Sequence, residues 1–175
     1  MSSGASNQSL ILGLDPGSRC TGYGLIREIS GTLELISTGT VRPDLEDRLS
    51  DRLGSIFEKL STVIDMYLPD EAAAEDVFVS RNTSSALKLG QARGAALTAC
   101  ASRRVPVYTY EPALVKKTLV GNGRADKDQV GFMVGRLLGV KPNWSRDCGD
   151  ALAVAICHLN MRRIRFLETC SGTGA

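Results

Sequence analysis

Histidine is almost missing from this sequence: His158 is the one example in 175 residues. The five cysteines, Cys20, Cys100, Cys148, Cys157 and Cys170, are odd in number and include no C-x-x-C pair. Together these shortages argue against a zinc site, which needs closely spaced thiolate and imidazole donors, and against a disulfide framework. No run of ~18 apolar residues exists to span a membrane. Met1 to Ser9 is small and polar, without the apolar core of a signal segment, so a reducing cytoplasm is the expected location and no membrane partner is expected. Net charge is also scarce, at +2, and the whole-chain balance does not by itself point to nucleic acid. Locally the picture differs. From Arg81 to Arg104 the chain carries Arg81, Lys88, Arg93, Arg103 and Arg104 and no acid, a bias that puts a positive field over part of the surface or simply solvates a helix face.

What is present is an ordinary globular composition, 43% hydrophobic and 23% charged, and its length suits one domain. Residues 10–167 are expected to form that domain, with tails at 1–9 and 168–175. Leu10 to Leu14 is an apolar strand stopped by the turn Asp15-Pro16-Gly17. Tyr23 to Ile29 and Leu33 to Val41 complete a three-strand meander. From Leu45 to about Tyr67, leucines and isoleucines recur at three- and four-residue intervals, which predicts an amphipathic helix. Ala72 to Val79 reads as a central strand. A helix capped by Asn82 or Thr83 runs to about Arg103, and Val105 to Tyr108 is the last strand. Helices near Ala113 to Val120, Lys127 to Leu138 and from about Arg146 follow. The order predicts an α/β fold: a five-stranded mixed sheet, antiparallel meander then parallel strands, flanked by helices on both faces. His158 is expected at the end of the last apolar helix.

The chemistry-bearing residues are acids. Glu75 interrupts the apolar run from Ala72 to Val79, where a carboxylate is costly unless something neutralises it; a bound cation or a buried ion pair would do so. Asp15 ends the first strand, where it could also simply start a turn. Asp147 and Asp150, three apart on a helix, share a face, and either converge on one point or favour the positive helix end. If the first and fourth strands are neighbours, all four acids can meet. An oxygen-only donor set favours Mg²⁺ or Mn²⁺, and a pair of such ions would serve phosphodiester hydrolysis.

Several motifs match a known family in order. Leu12-Gly13-Leu14-Asp15-Pro16-Gly17-Ser18 with Thr21-Gly22-Tyr23-Gly24, Glu75 with Val77-Phe78, Ser85 to Gly94, and Asp147-Cys148-Gly149-Asp150-Ala151-Leu152-Ala153 together resemble the RuvC family of Holliday junction resolvases, over about Leu10 to His158. That resemblance implies a ribonuclease H-like fold and a homodimer that resolves four-way DNA junctions. It further implies paired symmetric nicks leaving 5′-phosphate and 3′-hydroxyl ends, two Mg²⁺ per site with Mn²⁺ able to substitute, and work beside a branch-migration helicase of the RuvA and RuvB type. Asp15, Glu75, Asp147 and Asp150 match the family's catalytic metal-binding acids, Lys116 and Lys127 its basic residues near the scissile backbone, and Phe78 an aromatic that stacks on an opened base. Lys117, Arg124 and Arg81 are added here as phosphate contacts, since Lys116, Lys117, Arg124 and Lys127 surround the loop Gly121-Asn122-Gly123.

Gly90 and Gly94 on the helix after Thr83 suggest close approach to another backbone, either the sheet or a second subunit. Two other readings compete. An actin-like ATPase also opens on a D-x-G turn, but needs a duplicated domain that this length does not hold. A catalytically inactive junction-binding protein is the other, although four acids beside phosphate would only weaken binding.

Overall fold

The computed structural model describes residues 8–76 and 83–171. Five strands form one sheet: β1 (Gln8–Asp15), β2 (Thr21–Ile29), β3 (Thr32–Val41), β4 (Glu71–Glu75) and β5 (Val107–Tyr110), in the order β3-β2-β1-β4-β5. The first three pair antiparallel as a meander, while β4 runs parallel to both β1 and β5. Five helices pack on it: α1 (Leu49–Tyr67), α2 (Thr83–Ser102), α3 (Pro112–Val120), α4 (Lys127–Leu138) and α5 (Arg146–Ser171).

The two-residue period of a strand decides which side chain meets which helix. Leu10, Leu12 and Leu14 of β1, with Ala72 and Ala74 of β4, pack on the face covered by α1 and α2. Ile11 and Ala73 point the other way, into a core built with α3, α4 and α5. Ile11, Leu12, Leu14, Leu25 and Ile26 are fully buried, each contributing roughly 1.5–3 kcal/mol of transfer free energy. By the same alternation Asp15 and Glu75 face α5.

Several boundaries differ from the sequence reading. The last strand is Val107–Tyr110, not Val105 to Tyr108, because Pro106 has no N–H to give a ladder and Val105 closes the end of α2 by donating to the Cys100 carbonyl, 3.0 Å away. Helix α1 begins at Leu49, since Asp44 accepts the Glu46 N–H at 3.0 Å in a turn that precedes it. The described part of β4 ends at Glu75, although Asp76 still donates its N–H to the Tyr110 carbonyl at 2.8 Å; the expected continuation to Val79 lies outside the described residues. Helix α5 runs on to Ser171, well into the stretch expected to be tail, so His158 sits inside it and not at its end.

Candidate metal centre and its cationic rim

Strands β1 and β4 are parallel neighbours with Leu14 opposite Ala74, so Asp15 and Glu75 finish adjacent strands at the same edge of the sheet, on the same face. Helix α5 brings the other two acids. It can do so because β1 and β2 offer it a floor of glycine. A Cβ at Gly13 would lie 1.9 Å from the Ala151 carbonyl oxygen, one at Gly22 2.1 Å from that of Asp147, and one at Gly24 2.5 Å from a Leu152 methyl. Real Cβ atoms do not come so close, and glycine alone lets the helix backbone rest on the sheet here. Asp147 and Asp150, in the first two turns of α5, are thereby laid over the ends of β1 and β2.

The charges feel one another. Burial, reinforced by Asp150 and Glu75, pushes the Asp15 carboxyl up to about 7, and Lys127 only partly opposes it. Glu75 is also raised, first by burial and then by Asp150, with Lys127 and Lys116 pulling the other way. Lys127 Nζ donates to Asp150 Oδ2 at 2.5 Å, and that bond outweighs partial burial to raise the lysine's own pKa. A capping box presents this lysine: Asp126 accepts the Gln129 N–H at 2.8 Å, Gln129 Oε1 accepts the Asp126 N–H at 3.1 Å, and Lys127 opens α4. Lys116, on α3, shares a cavity of about 230 Å³ with Glu75, Lys127 and Asp150.

Asp147 has partners that the sequence did not announce. Its Oδ2 accepts the Cys20 thiol at 3.1 Å and lies 3.9 Å from an Arg42 guanidinium nitrogen. Burial, then the Asp147 bond and charge, push the Cys20 thiol up to about 11, so it stays protonated and donates. The only sequence signal for Cys20 is its place at the end of the Asp15 turn, just before Thr21.

Of the residues expected at the site, Asp15, Glu75, Asp147, Asp150, Lys116 and Lys127 come together. Lys117 is exposed near the end of α3 and Arg124 is exposed in the loop after it; neither contacts the carboxylates among the described residues. Phe78 and Arg81 lie outside the described residues. Gly90 and Gly94 meet nothing within 4 Å of a built Cβ, which removes the sheet as their close neighbour.

The donor set fits hard divalent cations. Four carboxylates meet Lys116 and Lys127, with Arg42 beside Asp147, so the acids still outnumber the cations, and every carboxyl donor is oxygen. Among the described residues no three His, Cys, Asp or Glu side chains form a finished coordination shell; Asp150 is engaged by Lys127 and Asp147 by Cys20. His158 plays no part. Burial holds it neutral; its Nε2 donates to Glu71 at 2.5 Å, and its Nδ1 accepts the Tyr110 hydroxyl at 2.6 Å, at the far end of β4 from Glu75. Because a carboxylate can only accept, the Glu71 contact assigns this tautomer.

Acids from the ends of two adjacent parallel strands and from the first turns of one helix, over a sheet of order β3-β2-β1-β4-β5, define a ribonuclease H-like fold with an acidic centre. The family model for crossover junction endodeoxyribonuclease RuvC matches residues 11–158. The chain is 60% identical over 157 residues to the protein of that name from Oleidesulfovibrio alaskensis, covering 90% of this chain and 94% of the relative. It is 54% identical, with the same coverages, to that of Nitratidesulfovibrio vulgaris strain DP4. The structure of Thermus thermophilus RuvC in complex with Holliday junction substrate superposes with a TM-score of 0.83 at 34% identity, over 89% of this chain and 96% of that one. The yeast mitochondrial Holliday junction resolvase, 9% identical with a TM-score of 0.66 over 94% of this chain and 86% of that one, shares the fold. This chain belongs to the RuvC family of crossover junction endodeoxyribonucleases.

Proposed function

We propose that the chain is a Mg²⁺-dependent endonuclease that resolves four-way DNA junctions by paired, symmetric nicks, leaving 5′-phosphate and 3′-hydroxyl ends. The observation that carries this reading is the convergence of Asp15, Glu75, Asp147 and Asp150 where β1, β4 and α5 meet, a place where burial first and then the neighbouring carboxylates push Asp15 up to about 7. Those four side chains would hold two divalent ions, Mg²⁺ or Mn²⁺. Bound there, such ions supply Lewis-acid charge stabilisation and an activated water for attack on phosphorus.

The protein's own groups set the stage for that chemistry. The glycine floor fixes Asp147 and Asp150 against Asp15, so the site is held by packed elements and not by loops. Lys127 and Lys116 put cationic charge beside the acids, where a phosphate would otherwise be repelled. Cys20 and Arg42 orient Asp147. Lys117 and Arg124 extend the positive surface outward; Phe78 joins the assignment by resemblance, and Arg81 as a phosphate contact from the cationic stretch that it opens. The working form is a homodimer in the cytoplasm, beside a branch-migration helicase, because two equivalent cuts need two equivalent sites.

A catalytically inactive junction binder on the same fold would have no use for the acids. Replacing Asp15 or Asp150 by Asn is expected to reduce cleavage of a synthetic four-way junction in Mg²⁺ by roughly a thousandfold or more, the scale of losing a group that stabilises transition-state charge. Junction binding should persist, since a negative charge beside phosphate has been removed. Undiminished cutting by either variant would exclude the assigned role.

A further inference from the structure

Two adjoining hollows lead away from the acidic centre along α4 and the segment that joins it to α5. The first, of about 400 Å³, is lined by Lys127, Phe132, Lys141, Pro142, Trp144 and Arg146 among others, and Asp150 also stands in its wall. The second, of about 450 Å³, continues it and shares Phe132, Lys141 and Pro142. Phe132 is 65% exposed although it stands in a helix whose inward residues are well buried. Lys141 and Arg146 form no ion pair among the described residues, and the Trp144 indole N–H has no hydrogen-bond partner among them either. Trp144 nonetheless packs against the core cluster, and its indole lies over Gly149, where a Cβ would stand 3.2 Å from its Nε1. The trough therefore opens on the reacting centre at one end and offers aromatic rings with unpaired cations along its length.

We propose that this trough carries a junction strand away from the scissile phosphate, with a base or sugar against Phe132 and phosphates beside Lys141 and Arg146. This rests on the nuclease reading above, and continuity argues for it: Lys127 and Asp150 belong both to the acidic centre and to the trough wall. Charge agrees, since Lys127, Lys141 and Arg146 face Asp128 and Asp150, and the latter is already matched by Lys127. An exposed aromatic interleaved with cations is the pattern that binds unpaired or splayed nucleotides, through stacking and backbone charge together. A second copy of this chain would want the apolar ring without the cations.

The test uses the full chain and a fluorescent four-way junction in EDTA, with affinity measured by anisotropy across a salt series. Phe132→Ala is expected to weaken binding about tenfold, as for loss of one stacked base. The double change Lys141→Gln with Arg146→Gln is expected to flatten the log–log salt dependence by about 1.4 to 1.8, two phosphate contacts' worth. Thermal melts within a degree or two of the parent would show that each variant folds. Wild-type affinity and salt dependence in both variants, with the parent binding the junction, would overturn the trough alone. A parent that bound no junction would overturn both readings. A Phe132→Ala chain that changed its mass in light scattering while keeping its affinity would identify the ring as a subunit contact and overturn the DNA assignment.

Discussion

Asp15 sits where three effects disagree. Burial and neighbouring carboxylates favour its neutral form, Lys127 favours its charged form, and a divalent cation would favour the charged form more strongly still. The net result without a metal is a carboxyl raised from its ordinary value of 3.8 to about 7. A group with a higher pKa in the folded than in the unfolded chain binds more protons when folded. Its contribution to stability is fully present below pH 4 and is lost as pH rises to about 7. At 1.36 kcal/mol per pH unit, the rise from 3.8 to about 7 makes the difference at pH 8 on the order of 4 kcal/mol. In EDTA, Asp15→Asn should therefore melt alongside the parent near pH 4 and above it at pH 8, by roughly 8 to 16 °C for a domain of this size. Mg²⁺ should narrow the gap at pH 8 by stabilising the parent. Parallel melting curves across that range would show that Asp15 is not under the strain assigned to it.

That residue, with Glu75, Asp147 and Asp150, was legible in the sequence because each acid is anomalous locally: it ends or interrupts an apolar run, or repeats at helical spacing. Cys20 and Arg42 were not, because their role exists only once the start of β2, the end of β3 and the start of α5 are laid together. The same holds for Glu71, His158 and Tyr110. Glu71 stands one residue after a turn and His158 in an apolar helix, and nothing in either segment says that they meet.

At the scale of elements, the relation between α5 and the sheet determines the site. From Glu71 to Glu75 a strand advances about 13 Å, and from Asp150 to His158 a helix advances about 12 Å. The His158–Glu71 bond at one end of β4 and the placing of Asp150 beside Glu75 at the other thus describe a single antiparallel register of helix on strand. The glycines set the depth of that contact. Order and type of all the elements could be read from periodicity, and the β5 boundary was missed because a proline inside an apolar run does not say which side of it the ladder takes. The depth could not be read, since a glycine beneath a helix looks like any other glycine. Gly22→Ala places a methyl 2.1 Å from the Asp147 carbonyl oxygen, so α5 must lift at the turn that carries the acid. Overpacking of this kind costs about 1–3 kcal/mol, and a displacement of an ångström at a reacting centre can cost ~10²-fold in rate. Junction cleavage should fall by about that factor while binding changes little. Equal rates for Gly22→Ala and the parent would mean that Asp147 tolerates displacement and that the glycine floor is not what aligns it.

At the scale of the whole molecule, the question is how two cuts are kept paired. Helix α2 packs inward through Ala92, Ala96, Ala99 and Cys100. Its outward face carries Leu87, 65% exposed, followed by Gly90 and Gly94 at helical spacing with open space above them. A bare, small-residue face headed by an exposed leucine suits a two-fold contact with a second copy, bringing two backbones close. A charge there, Leu87→Glu, should split the proposed homodimer in sedimentation while leaving the acidic centre intact, because Leu87 belongs to neither core cluster. The functional consequence follows from DNA topology. In a supercoiled plasmid with an extruded cruciform, one nick relaxes the molecule and the junction is reabsorbed before a second, independent cut can occur. A dimer cutting both strands within one encounter yields linear DNA, and a monomer cutting once yields open circles. The Leu87→Glu chain should shift the product from linear to open-circular by at least about tenfold at equal total cleavage. A variant that sediments as a monomer and still gives mostly linear product would show that paired cutting does not require this face.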